Sequence, residues 1–105
     1  MRPGLSSQPR RELVNLVLAR ALTLLLGEGW AQRNARLPNR DGTSRRCASA
    51  AIIDACGDLL ADHVVLSLAS RRLERLVGGD IPTWNDDGRR TRASVVRKIT
   101  QAMYQ

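Results

Sequence analysis

Three groups of residues carry functional groups at spacings that could do chemistry. The first is Ile81-Pro82-Thr83-Trp84-Asn85-Asp86, where Asn85 and Asp86 can offer an amide and a carboxylate to a ligand beside an aromatic platform. The same residue types also build turns: Pro82 fixes an extended entry, Trp84 plugs a core, and Asn85 or Asp86 bonds nearby backbone ahead of a helix capped by Thr91. Turn building is the role Asx residues serve best. Trp30, in Gly29-Trp30-Ala31-Gln32, is read likewise, as an anchor packed on Trp84 or the first helix while Gln32 satisfies a loop carbonyl.

The second group is Arg89, Arg90, Arg92, Arg97 and Lys98, at the start and middle of the last helix. Positive charge at a helix N-terminus opposes the helix dipole. A phosphate or acidic surface docking there would explain it, because backbone N–H groups and guanidinium forks converge on one spot; a solvated face is the plainer alternative. With Asn85 and Asp86, these five are the candidate binding residues. Arg71, Arg72 and Arg75, by contrast, fall in the last turns of the third helix, where cations suit the dipole and need no further explanation.

The third group is Cys47, Cys56 and the sole histidine, His63. Beside Arg45, Arg46 and a helix start, the Cys47 thiol could be activated, but a cysteine enzyme needs a base assembled against it. Small residues packing a helix crossing account for Cys47 better. One His and two Cys complete no metal site without carboxylates that the sequence does not single out, so no catalytic residue, metal or cofactor is assigned. Nine residues of helix hold the cysteines roughly 13 Å apart, beyond disulfide reach, which predicts free thiols and a reducing compartment.

The elements that must position these groups are helical by expectation. The 105-residue length suits one domain, and the 43% hydrophobic content comes from Leu, Ala and Val, with no Phe and one Tyr. Residues 1–7 lack apolar periodicity and are expected to form a flexible tail, with 8–105 a single helical domain. A first helix, capped by Ser7 or Gln8 with Pro9 in its first turn, is apolar around most of its circumference from Leu13 to Leu26, which predicts a central helix ending at Gly27 and Gly29. A polar loop or short hairpin follows, with Pro38 and an Asp41-Gly42 turn. A second helix is expected from Arg45 to about Cys56, capped by Thr43 or Ser44. A third runs to Val77 and closes at Gly78-Gly79; a second loop spans Asp80 to Arg90; a last helix covers Arg92 to Gln105. The fold class is therefore all-α, a compact bundle of about four helices with two ordered loops anchored by Trp30 and Trp84. A helix-turn-helix over the second and third helices is disfavoured, since Val64, Leu66 and Ser67 make no polar recognition face.

Seventeen basic residues against ten acidic give a formal charge of +7, and sixteen of the seventeen are arginine, Lys98 being the exception. An arginine excess favours phosphate and carboxylate partners, although GC-rich codon usage would produce the same ratio. The longest apolar run, Ala21 to Leu26, is broken by Thr23, and Met1-Arg2-Pro3 does not open a secretory signal. A soluble, cytoplasmic protein with no membrane partner is expected.

Gly29-Trp30-Ala31-Gln32 after the first helix, Cys47 to Ala51 opening the second, and Trp84-Asn85-Asp86 followed by Arg90-Thr91 resemble a small uncharacterised family of helical proteins of actinobacterial chromosomes and bacteriophage or prophage genomes. The resemblance implies a setting among accessory or phage-borne genes and no particular chemistry. Size, charge and the lack of catalytic groups then lead to a small accessory protein that acts by binding, docking on a larger host protein or nucleoprotein complex, for example as an inhibitor of host defence such as an anti-CRISPR. Direct nucleic-acid binding through the arginine-rich surface is the alternative, and a small cysteine-dependent enzyme using Cys47 a third. Oligomeric state is left open.

Overall fold

A long apolar helix can be satisfied only by neighbours on several sides, and that is how the chain folds. The computed structural model describes residues 3–104, with side chains from residue 9 onward. Helix α1 (Pro3–Glu28) runs through the centre and packs against three others, α2 (Ala48–Asp58), α3 (His63–Val77) and α5 (Arg92–Ala102). A one-and-a-half-turn helix α4 (Ile81–Asp86) and a hairpin of β1 (Arg36–Pro38) and β2 (Ser44–Arg46) complete the fold. The core gathers Leu18 and Leu25 of α1, Ile52 of α2, Leu73 of α3 and Ile99 of α5, all fully buried.

Several boundaries differ from expectation. Among the described residues there are five helices where about four are expected. The first begins at Pro3, so Ser7 and Gln8 lie within it and Pro9 is its seventh residue; of the expected tail, only Met1 and Arg2 fall outside the described residues. The last ends at Ala102, and Gln105 is likewise outside the described residues.

Arg45 and Arg46 are strand, not helix. Backbone pairing decides it: Arg46 N–H donates to the Gly29 carbonyl at 3.1 Å and Ala31 N–H to the Arg46 carbonyl at 2.9 Å, tying β2 to the segment after α1. Helix α2 therefore starts only at Ala48, with Cys47 as its N-cap, the sulfur accepting from Ala50 N–H at 3.4 Å. Asp62 caps α3 through Val65 N–H, and Gly78 ends it in the left-handed conformation, as its position after the apolar run predicts.

The Trp84 segment was expected as a loop entered by an extended Pro82. It is helical. Asp80 accepts from Thr83 N–H at 3.0 Å as N-cap, and Pro82 sits in the first turn, where its missing N–H costs nothing. Thr91 caps α5 as expected, in a reciprocal box with Ser94.

Candidate functional site

The residue that joins the two tryptophan segments is neither tryptophan. Asn85 is fully buried, whereas Trp30 and Trp84 are half-buried against the rim of the core. Its Oδ1 accepts from the Trp30 indole N–H at 2.7 Å and from Ala48 N–H, the first residue of α2, at 3.0 Å. Its Nδ2 donates to the Ala31 carbonyl and to Asp86 Oδ1, each at 3.0 Å. Two acceptor lone pairs and two N–H donors are thus all used. Around this hub Gln32 Nε2 donates to the Asn85 and Asp87 carbonyls at 3.0 and 2.8 Å, and Arg33 N–H to Asp86 Oδ1 at 2.8 Å. The expectation that Gln32 satisfies a loop carbonyl holds. Asn85, a candidate for surface binding, is internal, and it bonds distant chain instead of local backbone.

The basic group before α5 is partly neutralised within the chain. Arg89 lays its guanidinium on Asp87 through Nε at 3.2 Å and Nη2 at 2.9 Å, holding that carboxyl well below the usual carboxylate range. Arg90 lies over the Trp84 ring, 4.9 Å from its centroid, and donates from Nε to the Trp84 carbonyl at 3.1 Å. These contacts occupy Arg89 and Arg90 within the chain. Arg92 and Arg97 remain exposed and Lys98 half-buried, with no carboxylate in ion-pair reach among the described residues.

A second cationic cluster lies across α1 and α3, where arginines had been assigned to dipole compensation alone. Arg72 is half-buried and its Nη1 donates to Asn15 Oδ1 of α1 at 2.6 Å. Arg11 lies one turn before Asn15 on α1, and Arg75 nearly one turn after Arg72 on α3. Burial, and then the charges of Arg11 and Arg75, lower the Arg72 pKa, the signature of cations crowded without a compensating carboxylate. Only Arg75 of the three is in the final turn of α3. Nothing in local sequence reveals this convergence, because the partners come from helices far apart in the chain.

Cys47 is not brought to the histidine as a nucleophile would require. Cys47 caps the start of α2 and His63 opens α3, so the length of α2, about 16 Å for eleven residues, lies between them. Cys56 is buried, and burial, with Asp62 nearby, pushes its thiol pKa up. Cys47 instead lines a groove of about 290 Å³ shared with Arg33, Arg36, Ile53, Pro82 and Asp86. Among the described residues no group of three or more His, Cys, Asp or Glu side chains is placed to hold a metal ion, and no helix is long and apolar enough to cross a membrane.

Residues 9–105 match the model of DUF6197, a family of unknown function. The chain belongs to this family. The match runs from the first turns of α1 past α5 and so takes in the Asn85 hub and the α1–α3 arginine cluster. No curated protein and no solved structure matches the chain.

The hub makes the two tryptophans unequal in this DUF6197 chain. Trp30→Phe removes the indole N–H that Asn85 holds and is expected to cost about 1–2 kcal/mol. Trp84→Phe keeps a ring beneath Arg90 and removes an N–H that has no partner among the described residues, so it is expected to cost less. Urea unfolding of the two variants checks the order, and equal or reversed losses would remove Trp30 from the hub.

Proposed function

We propose that the protein acts by binding and not by catalysis, as an accessory protein whose cationic surface docks on a larger anionic partner, a protein or a nucleoprotein complex. One observation carries the reading. The chain has seventeen basic residues, yet only five arginines reach a carboxylate among the described residues. Eight of the ten carboxylates are tied up in structure: Asp62 and Asp80 cap helices, Asp41 holds the hairpin turn, Asp86 holds Arg33 N–H, and Glu28, Asp54, Asp58 and Asp87 form the ion pairs. Positive charge is left on the surface, and the same commitments leave few carboxylates to act as general acid or base.

In the setting the resemblance implies, a phage genome or an actinobacterial chromosome, such a partner would be host machinery, a defence complex inhibited in the manner of an anti-CRISPR being one form. The binding reading does not depend on that setting.

The test is titration of the intact protein, at low salt, with three polyanions of different chemistry: a heparin fragment, polyglutamate and duplex DNA. At least one is expected to bind, and to be released as salt shortens the screening length from about 10 Å at 0.1 M to about 3 Å at 1 M. Failure of all three to bind would overturn the reading.

A further inference from the structure

We propose that the α1–α3 face carrying Arg11, Arg71, Arg72 and Arg75 is a docking surface for the phosphate backbone of double-stranded nucleic acid, read without regard to base sequence. The inference rests on the binding reading above and deepens it by naming the surface and the partner.

Two guanidinium groups of α3, those of Arg71 and Arg75, line one concavity, and Arg72, turned toward α1, lies within charge range of Arg75 and of Arg11 on α1. Arg71 and Arg75 are one turn apart, which places their Cβ atoms about 5–6 Å from each other, and both line an open concavity of about 640 Å³ over the C-terminal end of α3. Arg72 reaches sideways to Asn15 of α1, and Arg11 stands one turn before Asn15 on that helix. Two of the four are held in place before any ligand arrives. Arg72 is fixed by its 2.6 Å bond to Asn15, and Arg75 Nε donates to the Arg71 carbonyl at 3.4 Å. Arginines already ordered lose less side-chain entropy on binding. None of the four reaches a carboxylate among the described residues.

The chemistry of the face selects phosphate over an acidic protein. A protein interface needs an apolar or aromatic anchor at its centre. Among the residues lining the concavity the one large apolar side chain is Leu68, half-buried, and the floor continues over Gly78 and Gly79. Phosphate contacts need no such anchor: they are made by guanidinium forks and are strongest where several converge. The face also selects duplex over single strand. Single strands bind by stacking bases on aromatic rings, and no aromatic residue lines this concavity. The nearest ring along the chain, Trp84, carries Arg90 on its face. Contacts confined to phosphates give affinity and register but no sequence preference. Glu74 shares the rim, with no basic partner in ion-pair reach among the described residues, and its charge opposes the ligand.

The experiment measures affinity of the intact protein for a duplex DNA of about 20 base pairs over a range of salt; each phosphate neutralised contributes about −0.9 to the slope of log affinity against log salt, so four contacts predict a slope between −3 and −4, on the order of a hundredfold between about 50 and 200 mM. Two duplexes of unrelated sequence are expected to bind alike. The variant Arg11→Ala/Arg71→Ala/Arg75→Ala is expected to lose at least about tenfold in affinity and to flatten the slope by about 2 to 3. Glu74→Gln is expected to tighten binding. Arg89→Ala is expected to change it little, because that guanidinium already lies on Asp87. Circular dichroism and the thermal midpoint of each variant report folding; should the triple variant fail to fold, Arg75→Ala alone and Glu74→Gln must still move affinity in opposite directions. If the protein binds duplex but these substitutions leave it unchanged, or if polyglutamate of equal charge competes as well as DNA, the surface or the partner is wrong while the binding reading stands. If no polyanion binds at all, both fall.

Discussion

Asn85→Ala is expected to cost about 4 kcal/mol, a large share of the 5–15 kcal/mol that holds a domain of this size together. The truncated side chain strips partners from the Trp30 indole N–H, from Ala48 N–H and from the Ala31 carbonyl, and Ala48 and Ala31 are 0% and 4% exposed. Each buried polar group left without a partner costs about 1–3 kcal/mol, and water has little access to replace the lost bonds. Urea unfolding measures the loss. A deficit under about 1 kcal/mol would show that Asn85 is not what holds the two segments together.

Asn85→Asp tests the same hub by charge. A carboxylate there still accepts from Trp30 and Ala48, but its second oxygen replaces the donor that faces the Ala31 carbonyl and Asp86 Oδ1. Burial and the neighbouring Asp86 charge both disfavour ionisation, so the new carboxyl has a higher pKa folded than unfolded. The deficit is then full at neutral pH and shrinks as pH falls and the group takes up its proton. The native carboxylates behave in the opposite sense: Asp54, lowered by Arg36 and Arg46, and Asp86, lowered by Arg33 N–H and the Asn85 amide, give stability above their unfolded pKa that is lost in acid. The gap between variant and parent should therefore narrow on acidification; a constant gap would place the new carboxylate in contact with water.

What sequence could and could not show follows from the range of each interaction. Helices α1, α3 and α5 are legible because apolar spacing, the Gly78 stop and the Thr91 cap are all local signals. The central role of α1 is legible too, from apolar residues around most of its circumference. Helix α4 has a readable start, Asp80 followed by Pro82, but at six residues it is too short to show periodicity. Strand β2 has three residues, and its arginines carry helix propensity that backbone pairing to Gly29 and Ala31 overrides. The Asn85 hub was legible only in its parts. Trp30, Gln32, Asn85 and Asp86 each stand out in the sequence, yet the bonds joining the Trp30–Arg33 segment to Asn85 and Asp86 span 53 to 55 residues and no local pattern specifies them. The meeting of Arg72 with α1 was out of reach for the same reason, since only α1 supplies Asn15 and Arg11.

Gly29→Ala is the second large effect expected, about 2–3 kcal/mol, and it separates two reasons for glycine ahead of Trp30. Gly29 has φ of +113°, a conformation that L side chains rarely adopt, and a Cβ built there would come within 2.5 Å of Arg45 Cγ. The backbone has little freedom to relax. Gly29 N–H donates to the Leu25 carbonyl at 3.1 Å and its own carbonyl accepts from Arg46 N–H at 3.1 Å, so a change in φ breaks either the end of α1 or the join to β2. Arg45 Cγ is near the root of its side chain, so swinging the guanidinium away does not clear the contact. In the background Arg45→Ala the steric part disappears and the backbone strain remains; the cost of Gly29→Ala is then expected to fall by about half. Thermal or urea unfolding of the four proteins in this cycle gives the split. An unchanged cost would assign the whole effect to backbone strain, and its complete disappearance would mean that the positive φ at Gly29 is imposed by nothing but the approach of Arg45.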